Sequence, residues 1–205
     1  MKQQIDPKDT TRAEAFALWT KSPQPMMTFG KTFDVTRLRK VSRRKGLKFN
    51  MLLCWCVGRA ASQIDEFYLL VDQDRLYRFD RLAVNVIVNN AKGGICNCDV
   101  PWSDDLQQFC RDYDRLTQQA ARTCQNIEDD ETNIIGTSAI VDSELDYMVN
   151  QYTGIYTNPF LLWSRYRRHW FRTTLSISMQ FHHAQMDGAH AARFLQLLQH
   201  TINQL

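Results

Sequence analysis

The sequence predicts an α+β fold, a two-layer sandwich with a mixed β-sheet, formed by one domain over residues 1–205. Helical and strand patterns interleave along the chain without the regular βαβ alternation of a parallel sheet. Apolar residues make up 44% and charged residues 23% of the chain, as in ordinary globular proteins. A chain of 205 residues can bury a sizeable core, and one domain is the default at this length.

Helical periodicity marks five stretches of the chain. Asp9-Thr10-Thr11 supply a cap for the first helix, and Gly46 ends the second, which is strongly basic. The third is apolar on most sides and should be buried, whereas Ser103 caps a fourth, amphipathic helix. Asp187 opens the last helix. The predicted helices cover, in order, residues 12–19, 37–45, 49–64, 103–124 and a stretch that starts after 187.

Strands are predicted where apolar and polar residues alternate. Asp72-Gln73-Asp74 has the composition of a tight turn, so the two strands beside it should form a hairpin. A glycine-rich stretch around Cys96 and Cys98 is compatible with a strand or a loop, and an acidic loop is expected at 128–131. The predicted strands cover residues 26–33, 68–71, 75–78, 82–88, 134–141, 145–150, 160–166 and 173–182.

Composition excludes several classes of function. The 25 basic and 22 acidic residues give a net charge of +3, too small a bias for a nucleic-acid-binding protein. The longest apolar runs are far shorter than a membrane span, and the N-terminal residues lack the apolar region of a signal peptide. We therefore expect a cytoplasmic protein without nucleic-acid or membrane partners.

Six cysteines are spread along the chain without a C-x-x-C spacing. Cys54 and Cys56 lie in the apolar helix, where positions i and i+2 point to different faces and do not share a metal ion. We expect all six cysteines to be reduced thiols, and we expect no metal site.

The most informative stretch is Gln180-Phe181-His182-His183-Ala184-Gln185-Met186-Asp187-Gly188. It lies where the last predicted strand turns into the last helix, a junction that can hold an imidazole rigidly. A histidine held in this way can act as a general base, because its pKa lies near working pH. His183 is our candidate for that base. Asp187 has two possible roles, because aspartate is also a favoured N-cap.

The pattern H-H-x-x-x-D-G in this stretch resembles the active-site signature of the chloramphenicol acetyltransferase family and its relatives. The resemblance extends along nearly the whole chain. It implies the family's fold and an O-acetyltransferase that moves an acetyl group from acetyl-CoA to a hydroxyl of a small molecule. His183 then matches the general base, and Ser138, in Thr137-Ser138-Ala139, matches a donor to the oxyanion. Acetyl-CoA would be a co-substrate, and no tightly bound cofactor is expected.

The resemblance also implies a support for the catalytic loop. Arg12 matches a family arginine that pairs with the aspartate of the motif, here Asp187, which is followed by Gly188. The segment around Arg12 departs from the family pattern, because Ala15 stands where the family has a histidine.

Three positions resemble those of the family's coenzyme A channel. Tyr166 matches a residue that lines the channel, and Arg165 replaces a lysine beside it. Lys48, followed by Phe49, matches a Lys-Phe pair at the start of a long helix. The resemblance therefore implies coenzyme A contacts at Lys48, Arg165 and Tyr166.

The expected acceptor pocket differs from that of the family. Leu162 replaces a threonine that helps to hold an ordered water, and Asp142 replaces a tryptophan. Few family residues survive where the family binds chloramphenicol, so we expect chloramphenicol to be a poor acceptor or not one at all, and the acceptor is chloramphenicol or a related or unknown small molecule. The alternative is a non-catalytic or altered-specificity binding protein with a degenerate acceptor pocket. The residues that match the family's chloramphenicol-binding wall are Leu18, Trp19, Pro23, Met27, Ile95, Gln125 and Met148.

The same signature occurs in two other groups of proteins. Condensation domains of peptide synthetases contain two fused halves of this fold, and dihydrolipoyl acyltransferases carry a separate lipoyl domain. This chain has the length of one half, which implies a site completed by a neighbouring copy. The resemblance implies a homotrimer, in which His183 of one subunit faces the N-terminal pocket of the next.

Overall fold

The computed structural model describes residues 1–152 and 154–205 of the chain. The α-helices are α1 (Ala13–Trp19), α2 (Thr36–Lys45), α3 (Phe49–Ala61), α4 (Leu106–Thr123) and α5 (Gly188–Gln204). The β-strands are β1 (Lys2–Ile5), β2 (Met26–Asp34), β3 (Leu69–Asp72), β4 (Arg75–Phe79), β5 (Leu82–Asn89), β6 (Ile95–Pro101), β7 (Asn133–Ile140), β8 (Phe160–Ser164), β9 (Arg167–Arg168) and β10 (Thr173–His182).

The strands form a large mixed sheet and a small antiparallel sheet. The large sheet has the order β2-β10-β8-β7-β5-β6, with β9 paired to the start of β10. β7 runs parallel to both β5 and β8, whereas the other strand pairs of this sheet are antiparallel. The small sheet has the order β1-β4-β3. The α+β class and the mixed sheet predicted from the sequence are therefore confirmed.

β10 lies inside the large sheet, and its side chains alternate between the two faces of that sheet. Alternate apolar side chains between residues 175 and 181 are buried in the main hydrophobic core, together with residues of α3 and α5. Because side chains alternate along a strand, Ser178 and Gln180 point to the other side of the sheet. We call this side the open face; in register with Ser178 it also carries Leu162 of β8 and Ser138 of β7.

The predicted strand at 145–150 is wrong. These residues pair with no strand and instead cross the open face. The Met148 N–H donates to Ser178 Oγ (3.2 Å), and Gln180 Nε2 donates to the Asn150 carbonyl oxygen (2.7 Å). Met148 is the buried residue of this segment, whereas Tyr147 and Val149 are exposed, so the apolar alternation here does not mark a half-buried strand.

The remaining differences concern the ends of elements. α4 is capped by Asp105, whose carboxylate accepts from the Gln107 N–H (2.8 Å), whereas Ser103 accepts from the Asp105 N–H (3.2 Å). α3 ends at Ala61, three residues before the predicted end. The glycine-rich stretch forms β6, and β1 is an exposed edge strand without a clear sequence signal. The expected cap of α1 by Asp9-Thr10-Thr11 is wrong, because the N-cap is Arg12 and makes no side-chain cap bond. The other predicted helices and strands are confirmed to within a few residues.

Candidate active site

The turn between β10 and α5 spans residues 183–187 and carries His183. Asp187 ends the turn as the N-cap of α5. Its Oδ1 accepts from the Ala189 N–H (3.0 Å) and from the His190 N–H (3.3 Å). These bonds satisfy backbone N–H groups that have no partner within the first turn of the helix. The cap therefore fixes the residue at which α5 begins.

Arg12 holds the same turn from the start of α1. Its Nη1 lies 2.9 Å from Asp187 Oδ2, and its Nη2 donates to the His183 carbonyl oxygen (2.8 Å). Its Nε donates to the Ala184 carbonyl oxygen (3.4 Å). The Arg12 side chain is only 6% exposed, so these contacts are weakly screened by water. One guanidinium therefore joins both ends of the turn, and Asp187 is at once a cap and an ion partner.

His183 is held in two ways, through one face of its imidazole ring and through its main chain. The Trp19 ring stacks on the imidazole, with ring centroids 4.3 Å apart and ring planes 5° from parallel. The His183 N–H donates to the Pro25 carbonyl oxygen (2.8 Å). Its Nδ1 is buried without a hydrogen-bond partner among the described residues. A ring with fixed orientation suits a residue that must take a proton in one direction.

His182 is unsuited to the same role. It is 2% exposed, and its Nδ1 accepts from the Ala184 N–H (3.1 Å). Burial, together with the neighbouring His183, lowers the pKa of His182 to about 4. His182 is therefore neutral at neutral pH and serves the turn as a hydrogen-bond acceptor.

Asp187 is held in its charged form. Burial by itself would raise its pKa, but backbone hydrogen bonds from His190 and Ala189 and the charges of His190 and Arg12 oppose this effect. Together they hold the pKa of Asp187 below its usual range. The carboxylate that Arg12 requires is consequently present at neutral pH.

Sequence reasoning missed two residues that contact this turn, Glu66 and His190. His190 Nε2 lies 3.1 Å from Glu66 Oε1, and His190 Nδ1 lies 2.9 Å from Asp187 Oδ1. The available signal for His190 was its position three residues after an N-cap, where a polar side chain closes a capping box. No local pattern marks Glu66, because its partner is distant in the sequence.

The three residues expected to contact coenzyme A line one cavity. Lys48, Arg165 and Tyr166 surround a volume of about 960 Å³ at the end of the large sheet, between the start of α3 and the end of β8. Arg168 adds another cation, and Glu144 places a carboxylate 3.8 Å from Arg165 Nε. Cations beside a helix N-terminus suit a ligand that carries negative charge.

Ser138 lies far from His183 within one chain. Ser138 is in register with Leu162 of β8, which pairs with Ser178 of β10. Ser178 precedes His183 by five residues, and β7 is two strands away from β10. At about 3.3 Å per residue and 4.8 Å per strand, Ser138 and His183 are roughly 19 Å apart. A base and an oxyanion donor that serve one acyl group cannot be separated in this way.

Part of the expected acceptor pocket lies beside His183. Trp19 stacks on the His183 of its own chain, and Leu18 is exposed next to it on α1. Met27, on β2, pairs with Phe181 near the end of β10. Trp19 and His183 therefore already meet within one chain.

The other expected pocket residues lie elsewhere. Ile95 is exposed on β6, at the opposite edge of the large sheet from β2, and Gln125 follows α4. Met148 is buried on the open face, where it is bonded to Ser178. One chain by itself therefore does not enclose a pocket with all of the predicted walls.

The cysteines play no part in this turn. All six are free thiols, and burial raises the pKa of Cys54 to about 12, which keeps it protonated. No group of three or more His, Cys, Asp or Glu side chains that could hold a metal ion occurs in residues 1–152 and 154–205. None of the described helices combines the length and apolar character needed to cross a membrane.

The chain is similar along nearly its whole length to chloramphenicol acetyltransferases. The family model for chloramphenicol acetyltransferase matches residues 2–199. Chloramphenicol acetyltransferase 2 of Escherichia coli is 26% identical over 203 residues, which cover 95% of this chain and 94% of that protein. A solved chloramphenicol acetyltransferase structure superposes with a TM-score of 0.84 at 22% identity and covers 98% of this chain and 100% of that chain. A probable dihydrolipoamide acetyltransferase from Listeria monocytogenes, 12% identical, has a TM-score of 0.70 over 95% of this chain and 92% of that chain. The match along nearly the whole sequence shows that the chain belongs to the chloramphenicol acetyltransferase family and is an acyltransferase.

Proposed function

We propose that this protein transfers an acetyl group from acetyl-CoA to a hydroxyl group of a small molecule, with His183 as the general base. The observation that carries the proposal is the fixed imidazole of His183. Trp19 covers one ring face, and Arg12 binds the His183 carbonyl oxygen. A ring held in one orientation is what proton transfer from a positioned hydroxyl requires.

The chemistry follows from these groups. His183 takes the proton of the acceptor hydroxyl while the hydroxyl oxygen attacks the thioester carbonyl carbon. The carbonyl oxygen gains negative charge in the tetrahedral intermediate, and Ser138 donates a hydrogen bond to it. The C–S bond then breaks, the acetyl ester forms, and the proton held by His183 passes to the departing coenzyme A thiolate.

The cavity at the start of α3 supports acetyl-CoA as the donor. Coenzyme A carries several phosphate charges and an adenine ring. Lys48, Arg165 and Arg168 provide cations, and the Phe49 and Tyr166 rings lie 5.0 Å apart at the same cavity. Lys48 and Arg165 each have a carboxylate nearby, Asp114 and Glu144, which phosphate oxygens would displace.

A second copy of the chain is needed to complete the site. The separation of roughly 19 Å between Ser138 and His183 keeps the base and the oxyanion donor of one copy apart. We propose a homotrimer in which His183 of one copy approaches Ser138 of another. Ile155 and Tyr156 are 73% and 75% exposed after the segment that crosses the open face, as expected of residues covered in an assembly.

The test is thiol release from acetyl-CoA in the presence of a panel of hydroxyl compounds, with chloramphenicol included. Acceptor-dependent release that is lost in His183→Ala supports the proposal; release that is unchanged in this variant contradicts it. Light scattering of the active protein should give about three times the chain mass of 24.0 kDa. An active particle of single-chain mass would refute the shared site.

The second candidate is a binding protein of altered specificity without turnover. It is favoured by Leu162, which lies in register with Ser138 on the open face and cannot hold a water as a threonine does. Binding of acetyl-CoA without thiol release for any acceptor in the panel would favour this candidate.

A further inference from the structure

We propose that Glu66 and His190 are positioning residues for the reaction, because they form a second brace on the turn that carries His183. Arg12 holds Asp187 Oδ2, and His190 holds Asp187 Oδ1. His190 in turn contacts Glu66. This inference rests on the proposed function of His183 as the general base.

The His190 ring bridges two carboxylates. Its Nε2 is 3.1 Å from Glu66 Oε1, a distance at which a proton must lie between the two acceptors. Nε2 therefore carries the proton and donates to Glu66. Nδ1 is left to accept from the Asp187 N–H at 3.2 Å, or, in the protonated ring, to donate to Asp187 Oδ1 at 2.9 Å. In either state the ring connects the end of the turn to Glu66.

The main chain near Glu66 holds the turn at a second point. Gln185, which is fully buried, donates through Nε2 to the Glu66 carbonyl oxygen (3.1 Å) and to the Leu69 carbonyl oxygen. The Glu66 side chain is only 14% exposed. The segment before β3 thus contacts both the middle of the turn and its end, in surroundings where polar contacts are weakly screened.

The brace should act on rate rather than on substrate affinity. Neither Glu66 nor His190 lies on the cavity that contains Lys48 and Tyr166. Loss of the brace lets Asp187 shift, and Arg12 transmits this shift to the His183 main chain. Displacement of a base by about 1 Å can lower kcat about hundredfold, whereas the KM values for donor and acceptor should stay unchanged.

The experiment compares Glu66→Ala, Glu66→Gln, His190→Gln and the Glu66→Ala/His190→Gln double variant. The amide introduced by Glu66→Gln still offers an oxygen to His190 Nε2, so this variant should keep near wild-type kcat. The amide introduced by His190→Gln can close the capping box on the Asp187 N–H but no longer bridges to Glu66. Glu131→Ala and the exposed His200→Gln on α5 serve as matched controls.

We expect Glu66→Ala and His190→Gln each to lower kcat about tenfold to hundredfold at constant KM, and the double variant to be no worse than either single variant. Additive losses, losses in the controls, or full kcat in both single variants would overturn the inference. If Glu66→Ala does not fold, His190→Gln and Glu66→Gln decide: the first must lose kcat and the second must keep it. An active His183→Ala would instead refute the proposed base itself.

Discussion

The indole of Trp19 stacks on the imidazole of His183, with ring centroids 4.3 Å apart and ring planes 5° from parallel. This contact joins the end of α1 to the turn after β10. The stack restricts rotation of the imidazole. It also places a π-face against a ring that becomes positively charged when it accepts a proton, and aromatic faces stabilise cations. Trp19 therefore supports both the orientation and the protonated state that the proposed mechanism requires.

Replacing Trp19 should lower the rate without abolishing it. Stacked aromatic pairs contribute about 0.5–1.5 kcal/mol, so Trp19→Ala should reduce kcat about two- to tenfold. Trp19→Phe keeps an aromatic face and should recover most of the loss. Steady-state kinetics with a good acceptor measure both variants, and equal activity of Trp19→Ala and wild type would show that the stack has no catalytic role.

His183→Ala should fold normally and lose at least about hundredfold in kcat, because a positioned base contributes at least that factor. His200→Ala, on the exposed side of α5, is the matched control and should retain full activity. Circular dichroism and thermal unfolding establish that the fold is intact. Near wild-type turnover of His183→Ala on any acceptor would contradict the assignment.

Arg12→Ala should reduce both stability and activity. It leaves Asp187 and two carbonyl oxygens of the turn without their partner. Because the Asp187 side chain is 36% exposed and water can reach it, we expect the lower end of the range for a broken buried pair, about 3 kcal/mol in the free energy of unfolding.

Arg12→Lys is the matched variant that keeps the positive charge. One ammonium group cannot reach Asp187 Oδ2 and the two carbonyl oxygens at the same time. Compared with Arg12→Ala, Arg12→Lys should recover part of the lost stability and little of the lost kcat. Urea unfolding and kinetics on the same samples separate the two effects. Full recovery of kcat in Arg12→Lys would show that charge alone, without the fork of contacts, supports the turn.

His182 should make the protein less stable in acid. Its pKa is lowered to about 4 in the folded protein, whereas an unfolded histidine has a pKa of about 6.5. Between these values the unfolded chain binds more protons. Its contribution is therefore complete above about pH 6.5 and falls by up to about 1.4 kcal/mol per pH unit as the pH drops toward 4.

His182→Asn keeps an acceptor for the Ala184 N–H but does not titrate in this range. The free energy of unfolding, measured at several pH values between about 7.5 and 4.5, should decline less steeply in His182→Asn than in the wild type. Parallel curves for the two proteins would show that His182 is not a neutral, buried imidazole.

Chloramphenicol should be a poor acceptor. A planar nitrophenyl ring binds best between flat aromatic walls, and Met27, Ile95, Gln125 and Met148 offer flexible, branched or polar side chains instead. Each lost wall weakens binding by about 1–3 kcal/mol. Acetylation kinetics measure this directly, and a micromolar KM for chloramphenicol together with resistance in cells would contradict the prediction.

Local pattern was sufficient for most of the framework. The alternation from Thr173 to His182 gave a strand with the bounds that the structure has, and Gly46 ends α2 in the left-handed conformation. Asp187 opens α5, so the motif residues lie at a strand-to-helix turn as expected. These features depend on residues that are close in the sequence, where periodicity and capping chemistry act directly.

Apart from the Arg12–Asp187 pair, which the family resemblance implies, the contacts that make the turn a candidate site came only from the tertiary structure. Arg12 and Trp19 reach His183 across most of the chain length, and Glu66 reaches His190 from the segment before β3. The segment at 145–150 has the alternation of a strand but lies across a sheet face. Strand order and register decide which distant side chains meet, and neither is encoded in the local spacing of apolar residues, because many pairings satisfy the same alternation.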